Sequence, residues 1–561
     1  ICCFYSSESE DHMKNFRFTK GDFFGGITAG IVALPLALAF GVQSGLGAAA
    51  GLYGAIFLGF FAAIFGGTPS QISGPTGPMT VVTASTVAAF VALNGGDVST
   101  VMGAIVACFV LAGVLQIVMG ILKIGSLIKY IPYPVISGFM SGIGVIIILL
   151  QLYKAVGLPS PATTIDVIKE IGPALQKINV WALMYATLTI IIIYVFPRLT
   201  KKVPSTLIAL LAVTGISILL GKDVPLIGDI PKGFPELRLG GVFSIDPKFY
   251  LVILEAGATL AALGAIDSLL TSVIADNVTK TKHKSNQELI GQGIGNTVSG
   301  MFGGLPGAGA TMRTLVNVRS GGRNRPSGVI HSLVLLFILL GAGEYAAMIP
   351  QSVLAGILIT VGIGILDYKS LRHISKVPRT DAVIMIIVLL VTVFFDLLLA
   401  VGIGMVMASI LFMKQMSDLT EERSKISDLM SIKDEISWPD EKVPAYIQDN
   451  VVIKHLDGPL FFGFASGFMD KIGKLPDIKF VIIRMEKVPF IDQSGLYALE
   501  EAILSLEQRN IQVMITGLQT QPEDRLRRIR IIPDLIPENN LFGTFKDAIK
   551  WLVDTKGKDL Q

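Results

Sequence analysis

The stretch "SGPTGPMTVVTASTVAAF" (residues 73–90) opens on glycines and prolines and then turns apolar. A second stretch, "PGAGATMRTLVNV" (residues 306–318), has the same design. Both are too broken to be ordinary membrane spans. Each reads as a half-helix preceded by extended backbone, which survives at membrane depth only where it is buried or lines a cavity.

The surrounding sequence supplies the membrane. Of the 561 residues, 52% are apolar, and about half of the charged residues fall after Lys414. That asymmetry predicts a membrane-embedded first part and a soluble C-terminal domain. Runs near the ~20 residues needed to cross a bilayer occur at 22–42, 47–65, 102–122, 131–153, 180–197 and 204–221. A second set occurs at 249–275, 287–303, 327–347, 350–367, 381–399 and 400–417. Adding the two half-helices predicts fourteen segments.

Charge placement supports that count. With the N-terminus cytoplasmic, the inner loops carry Lys123 and Lys129; Arg198, Lys201 and Lys202; Lys280, Lys282 and Lys284. They also carry Arg319, Arg323 and Arg325, then Lys369, Arg372, Lys376 and Arg379. The outer loops 154–179 and 222–248 hold fewer basic residues, mixed with acids, which is the positive-inside pattern. Omitting either half-helix inverts the alternation partway. Both termini are expected in the cytoplasm, with the chain in the plasma or inner membrane.

"IPYPVISG" (131–138) and "IPQSVLAG" (349–356) share I-P-x-x-V-x-x-G, and the two half-helices sit at matching places in their halves. Two units of seven follow, about 21–221 and 248–417. Seven is odd, so the second unit is inverted relative to the first. Inverted repeats of this kind place a binding site where the broken helices meet.

The run "LGAIDSLLTS" (263–272) puts a carboxylate, Asp267, deep in an apolar segment, at a cost of several kcal/mol. On a helix Asp267 and Thr271 share a face. A carboxylate with hydroxyl and carbonyl oxygens suits a hard cation such as Na+; a protonatable Asp serves H+ coupling instead. The half-helix starts present backbone N–H groups and positive dipole ends to an anion. Thr76 and the Gly77 N–H come from the first, and Ala310, Thr311 and Arg313 from the second. Arg313 can add positive potential to the anion site, pair with Asp267, or face the cytoplasmic vestibule; the first is favoured.

Other chemistries find little support. Three cysteines and five scattered histidines give no disulfide framework, zinc site or nucleophile constellation. No G-x-x-x-x-G-K-[ST] phosphate loop is visible. The net charge of +3 in a membrane chain argues orientation rather than nucleic-acid binding. "ICCFYSSESEDHMKNF" is polar and acidic, and no cleavable signal peptide is expected in it. No enzyme activity and no cofactor are expected.

After a charged linker, 418–441, including "EERSKISDLMSIKDE" (421–435) and expected to be partly helical, residues 442–561 alternate short β-runs with amphipathic helices. "VVIKHL" (451–456), "KFVIIR" (479–484) and "IQVMIT" (511–516) read as strands of a small α/β sheet. Ser494, before "GLYALEEA", reads as a helix N-cap in preference to a phosphorylation site. "RLRRIRIIPDLI" (525–536) reads as a solvated helix face.

These residues resemble the sulfate permease (SulP) family of anion transporters. The resemblance rests on "GDFFGGITAGIVALPLALAFG" (21–41), "ISGPTGPMT" (72–80), "YPVISGFMSGIG" (133–144) and "SNQELIGQGIGNTVSGMFGG" (285–304). It implies an α-helical membrane fold of fourteen segments as a 7+7 inverted repeat, with core and gate domains. It also implies a homodimer, an elevator-like motion, and a cytoplasmic STAS domain marked by "FIDQSGLYALEEAI" (490–503). In that fold Ser494 falls at the position of a phosphorylatable serine.

Within the family, "GAIDSLLTSVIADNVTKTKHKSNQELIGQGIGN" (264–296) looks most like the BicA-type sodium-dependent bicarbonate transporters. That likeness assigns Asp267, Thr271 and Thr311 to a sodium site and Thr76 to the anion. Arg313 departs from it and is similar to the exchanger-type members. The expected function is sodium-coupled symport of a small inorganic anion, bicarbonate first, with sulfate or chloride as other candidates. The alternatives are a proton-coupled or exchanging carrier of sulfate or a dicarboxylate, and an uncoupled anion pathway.

Overall fold

The structure is a computed structural model. It describes residues 18–94, 98–161, 163–200, 203–228, 233–395, 397–423, 426–428, 450–461 and 478–560. The chain forms two compact units, Ile1–Val406 and Met407–Gln561.

The first unit is helical. Its first half contains α1 (Lys20–Gln43), α2 (Ala48–Phe65), α3 (Gly77–Asn94), α4 (Val98–Ile121), α5 (Tyr133–Ala155), α6 (Val180–Leu199) and α7 (Ser205–Leu220). Its second half contains α8 (Tyr250–Thr279), α9 (Ser285–Met301), α10 (Thr311–Arg319), α11 (Arg325–Ala347), α12 (Gln351–Ile365) and α13 (Arg379–Phe394). The last helix, α14 (Leu397–Arg423), begins in this unit and carries the unit boundary within it. Among the described residues eight helices are long and apolar enough to cross a membrane. Three shorter apolar helices join them. The chain is a helical, multi-pass membrane protein.

Two boundaries differ from expectation. The break expected at 399/400 falls earlier, with α13 ending at Phe394 and α14 starting at Leu397. Asp396 is the one charged residue in the run and marks the break that the expected boundary at 399/400 passed over. Also, α14 runs past the expected end at 417 to Arg423, so the first part of the linker is helical, as expected.

The two broken stretches meet. Strands β1 (Ser73–Gly74) and β2 (Ala308–Gly309) pair antiparallel, Ser73 opposite Gly309 and Gly74 opposite Ala308. Each strand leads within a few residues into a helix, α3 or α10. Because the strands run in opposite directions, the helices leave the crossing in opposite directions with their N-termini adjacent. Close approach needs glycine: a Cβ on Gly307 would lie 2.7 Å from the Pro75 nitrogen, and one on Gly54 2.9 Å from Pro75 Cγ.

The second unit holds a five-stranded sheet in the order β3 (Ile426–Asp428), β4 (Val451–Asp457), β5 (Phe480–Lys487), β6 (Gln512–Thr516), β7 (Leu541–Phe542). β3 is antiparallel to β4 and the remaining pairs are parallel. The three strands expected from sequence are β4, β5 and β6. The edge strands β3 and β7 are additions, and β3 lies in the expected linker.

The period-2 alternation of strands decides which residues face which layer. Val452, Val481, Ile483, Val513 and Ile515 cluster with Leu496, Leu499, Ile503 and Leu506 of α15 (Gln493–Gln508). Val451, Ile453, Phe480, Ile482 and Met514 cluster with Phe545, Ile549 and Leu552 of α17 (Phe545–Leu560). On the α15 side, α16 (Thr520–Arg528) buries Leu526 in that helix's cluster and exposes its arginines. Ion pairs join Arg527 to Glu523 and Arg528 to Asp524, which fits the expected solvated face.

Candidate ion-binding site

Helix α8 is two-sided. Gly264, Asp267, Ser268, Thr271 and Ser272 are buried, while Val273 and Val278 are 45% and 43% exposed. These polar side chains therefore turn inward together with buried apolar ones such as Leu260 and Leu269, and the outer face is left to residues such as Val273 and Val278.

Thr271 is fully buried, and its hydroxyl donates to the Gly309 carbonyl at 2.9 Å. The same oxygen lies 2.8 Å from the hydroxyl of Thr311, the first residue of α10. A hydroxyl has one proton to give. Thr271 commits its own to Gly309, so Thr311 donates to Thr271. Lone pairs on both hydroxyls and on the Gly309 carbonyl collect at one place, one helical turn from Asp267. Hard cations take such oxygens. Among the described residues no group of three or more His, Cys, Asp or Glu could hold a metal ion. This oxygen set of one carboxylate, two hydroxyls and a carbonyl is suited to a singly charged ion.

Asp267 is 8% exposed, and its Oδ2 has no hydrogen-bond partner. The Thr76 hydroxyl and Arg313 Nη1 are likewise buried and without partners. Thr76 and Arg313 both lie within interaction range of the Asp267 carboxylate. Buried polar atoms are ordinarily hydrogen-bonded. Three such groups within interaction range of one another, with hydrogen-bonding capacity to spare, have the chemistry of a site that accepts polar or charged ligands.

Thr76 immediately precedes α3, and its carbonyl accepts from the Thr80 amide at 2.9 Å. Gly77 is the first residue of α3. A Cβ there would meet Ile147 Cδ1 of α5 at 2.7 Å and Ile365 Cδ1 of α12 at 3.3 Å, so these isoleucines wall the α3 start. Ala310 is the N-cap of α10; its amide donates to Ile72 at 2.8 Å, which ties α10 to the strand before α3. The first-turn amides of α3 and α10 have no intrahelical acceptor, and with the dipole ends they favour an anion.

Arg313 is 2% exposed, so the vestibule-facing alternative is corrected: the side chain points into the protein. Its Nη2 donates to the Pro75 carbonyl, bridging the two half-helices. Burial follows from its place in the first turn of α10, directly across the strand pair from Gly74 and Pro75. Its neighbour Met312, 69% exposed, takes the outer face.

Sequence reasoning passed over Glu288, Gln292 and Asn296, which are all at most 1% exposed. They are four residues apart and form one stripe along α9. That i, i+4, i+8 spacing was the available signal, submerged in a glycine-rich motif. In the second unit, the expectation that Ser494 caps α15 is corrected. The N-cap is Asp492, whose side chain accepts from the Gly495 amide at 2.7 Å. Ser494 is exposed, one residue inside the helix. Both residue types cap well, and only the chain's entry angle distinguishes them.

Residues 19–388 match the sulfate permease family, and residues 442–548 match the STAS domain. The bicarbonate transporter BicA of Picosynechococcus sp. is 41% identical over 96% of this chain and 95% of its own length. The solved transmembrane domain of a cyanobacterium bicarbonate transporter BicA is 45% identical, with a TM-score of 0.64 over 69% of this chain and 98% of that one. A murine solute carrier 26 family member A9 anion transporter, in the inward-facing state, has a TM-score of 0.81 over 96% of this chain and 93% of its own. At 18% identity that likeness shows the fold alone. The chain therefore belongs to the sulfate permease family, as a membrane transporter rather than an enzyme, with a C-terminal STAS domain.

Proposed function

We infer that this protein is a sodium-coupled symporter of a small inorganic anion, with bicarbonate as the substrate. The observation that carries the reading is the contact between the Thr271 and Thr311 hydroxyls, one turn from Asp267 and at the N-terminus of α10. Thr311 belongs to both halves of the mechanism. Its hydroxyl faces the cation site and its backbone opens the helix whose dipole end meets the anion. Na+ at Asp267, Thr271 and Thr311 neutralises the carboxylate and raises the local potential. The anion then binds between Thr76 and Gly77 on one side and Ala310, Thr311 and Arg313 on the other.

The 41% identity to a protein named as a bicarbonate transporter supports bicarbonate as the anion. We assign the chain fourteen segments in a 7+7 inverted repeat, working as a homodimer by an elevator motion of a core against a gate. Both termini face the cytoplasm, and the protein resides in the plasma or inner membrane. In this reading the link between transport domain and STAS domain falls within 418–441, of which 418–423 continue α14 and 426–428 form β3. Ser494, exposed near the start of α15, is the candidate regulatory phosphorylation site.

One observation favours a second reading. Arg313 lies within electrostatic reach of Asp267, so it can balance that charge without a cation. A proton-coupled or exchanging carrier of sulfate or a dicarboxylate, or an uncoupled anion pathway, would use that balance. Uptake of labelled bicarbonate and sulfate into proteoliposomes, with and without a sodium gradient, separates the two.

A further inference from the structure

Glu288 is 1% exposed on α9, and its carboxylate accepts four hydrogen bonds, all from N–H donors. Oε2 takes the backbone amides of Gly67 and Thr68, both at 2.8 Å. Oε1 takes the side-chain amides of Gln71 at 2.8 Å and Gln292 at 2.7 Å. Four N–H donors fill the accepting capacity of an ionised carboxylate and leave no acceptor for a proton. Arg325, itself buried, lies within electrostatic reach and donates to the Gly66 carbonyl at 2.7 Å and to that of Ile64. Charge and geometry together pin the segment between α2 and β1 onto α9.

Two arms run from this carboxylate to the ion site. In the first, Gln71 gives its Nε2 to Glu288, and its Oε1 lies 3.0 Å from the Ser272 hydroxyl, whose single proton is shared between it and the Ser268 carbonyl at 2.9 Å. Ser272 is the neighbour of Thr271, and its oxygen also lies 2.7 Å from that of Thr68. The Gln71 amide packs directly on Gly309, where a Cβ would come within 3.0 Å of Oε1. Gly309 supplies the carbonyl that orients Thr271. In the second arm, Gln292 Nε2 reaches the Ser73 hydroxyl at 2.6 Å, holding β1 opposite Gly309.

We propose that Glu288 is a positioning residue for the cation site, fixing Thr271 and the Gly309 carbonyl through Gln71 and Ser272. It touches no ligand of the site directly. This rests on the sodium-coupled reading above. Groups that orient ligands from behind commonly carry about 10- to 100-fold in ion affinity. In Glu288→Gln one oxygen becomes an NH2 that confronts N–H donors. Either the Gly67–Thr68 clamp or the Gln71–Gln292 pair then loses its acceptor.

The test uses the full-length protein in proteoliposomes, measuring labelled bicarbonate uptake against sodium concentration. The proteins are wild type, Glu288→Gln and the milder Ser272→Ala, which keeps the carboxylate and cuts only the first arm. In Glu288→Gln the sodium concentration for half-maximal uptake is expected to rise about tenfold or more. The half-saturating bicarbonate concentration at saturating sodium is expected to stay unchanged. Ser272→Ala shifts sodium in the same direction by less, so a Glu288 variant that fails to fold leaves the proposal testable. Thermal stabilisation by added sodium provides the second readout and should weaken in parallel. A sodium-responsive wild type with unchanged sodium half-saturation in the folded variants overturns the positioning role alone. A wild type indifferent to sodium overturns the coupling assignment and this role with it.

Discussion

The hydroxyls of Thr271 and Thr311 stand 2.8 Å apart, although the residues are 40 positions apart in the chain. One belongs to a long continuous helix and the other to the start of a half-helix. Their contact joins the helix carrying the buried carboxylate to the half-helix that starts at Thr311.

Thr311→Ala removes one of those oxygens without touching the carboxylate. The sodium concentration for half-maximal uptake should rise about three- to tenfold, the equivalent of ~1 kcal/mol for one lost polar contact. Uptake measured across a sodium series checks this; an unchanged value removes Thr311 from the site.

Asp267→Asn keeps the shape and deletes the charge. Sodium stimulation should disappear while the folded protein is retained, because an amide oxygen alone is a poor substitute for a carboxylate toward Na+. Persistent sodium-stimulated uptake contradicts the assignment.

Arg313→Met separates the two ion roles. Its guanidinium joins α10 to the Pro75 carbonyl and lies near the Asp267 carboxylate. Anion affinity should fall about tenfold or more, the scale of a charge-assisted contact, with sodium stimulation retained. Unaltered anion affinity would reduce Arg313 to a structural tie between half-helices.

Asp492→Ala should loosen the start of α15 by about 1 kcal/mol, whereas Ser494→Ala should be nearly neutral. Hydrogen exchange of the α15 amides in the full-length protein reads this. Faster exchange in the Ser494 variant alone would reinstate Ser494 as the cap.

Asp367, in the turn after α12, supplies a pH prediction. Burial raises its pKa, but hydrogen bonds from Ser370, Ser137 and Tyr133 outweigh that and hold it at about 2. A depressed carboxylate contributes stability above its ordinary value of 3.8 that is lost as pH falls toward about 2. The α5–α12 junction should therefore loosen in that acid window. Ser137→Ala should move the loosening to higher pH, as followed by hydrogen exchange near Tyr133. An acid response that does not shift in the variant contradicts this account.

Local patterns made much of the site legible. Asp267 and Thr271 are one helical turn apart, and the Gly/Pro-rich openings of both half-helices announced extended backbone. The partners of these residues were harder to read because they come from across the chain. Nothing near Thr271 in sequence indicates that Gly309 accepts its proton, or that Arg313 turns toward Pro75. Glu288 was hidden differently. Its stripe with Gln292 and Asn296 is regular, but a carboxylate near a helix start ordinarily reads as a solvated dipole partner. Strand β3 was missed because a three-residue edge strand carries too few residues to show alternation.

The most direct test of the central claim is labelled bicarbonate uptake into proteoliposomes with and without an inward sodium gradient, with labelled sulfate in parallel. The account predicts bicarbonate entry stimulated by the gradient and lost in Asp267→Asn. Sulfate uptake indifferent to sodium, with no sodium-stimulated bicarbonate entry, would contradict it and leave Asp267 to balance Arg313 or handle a proton.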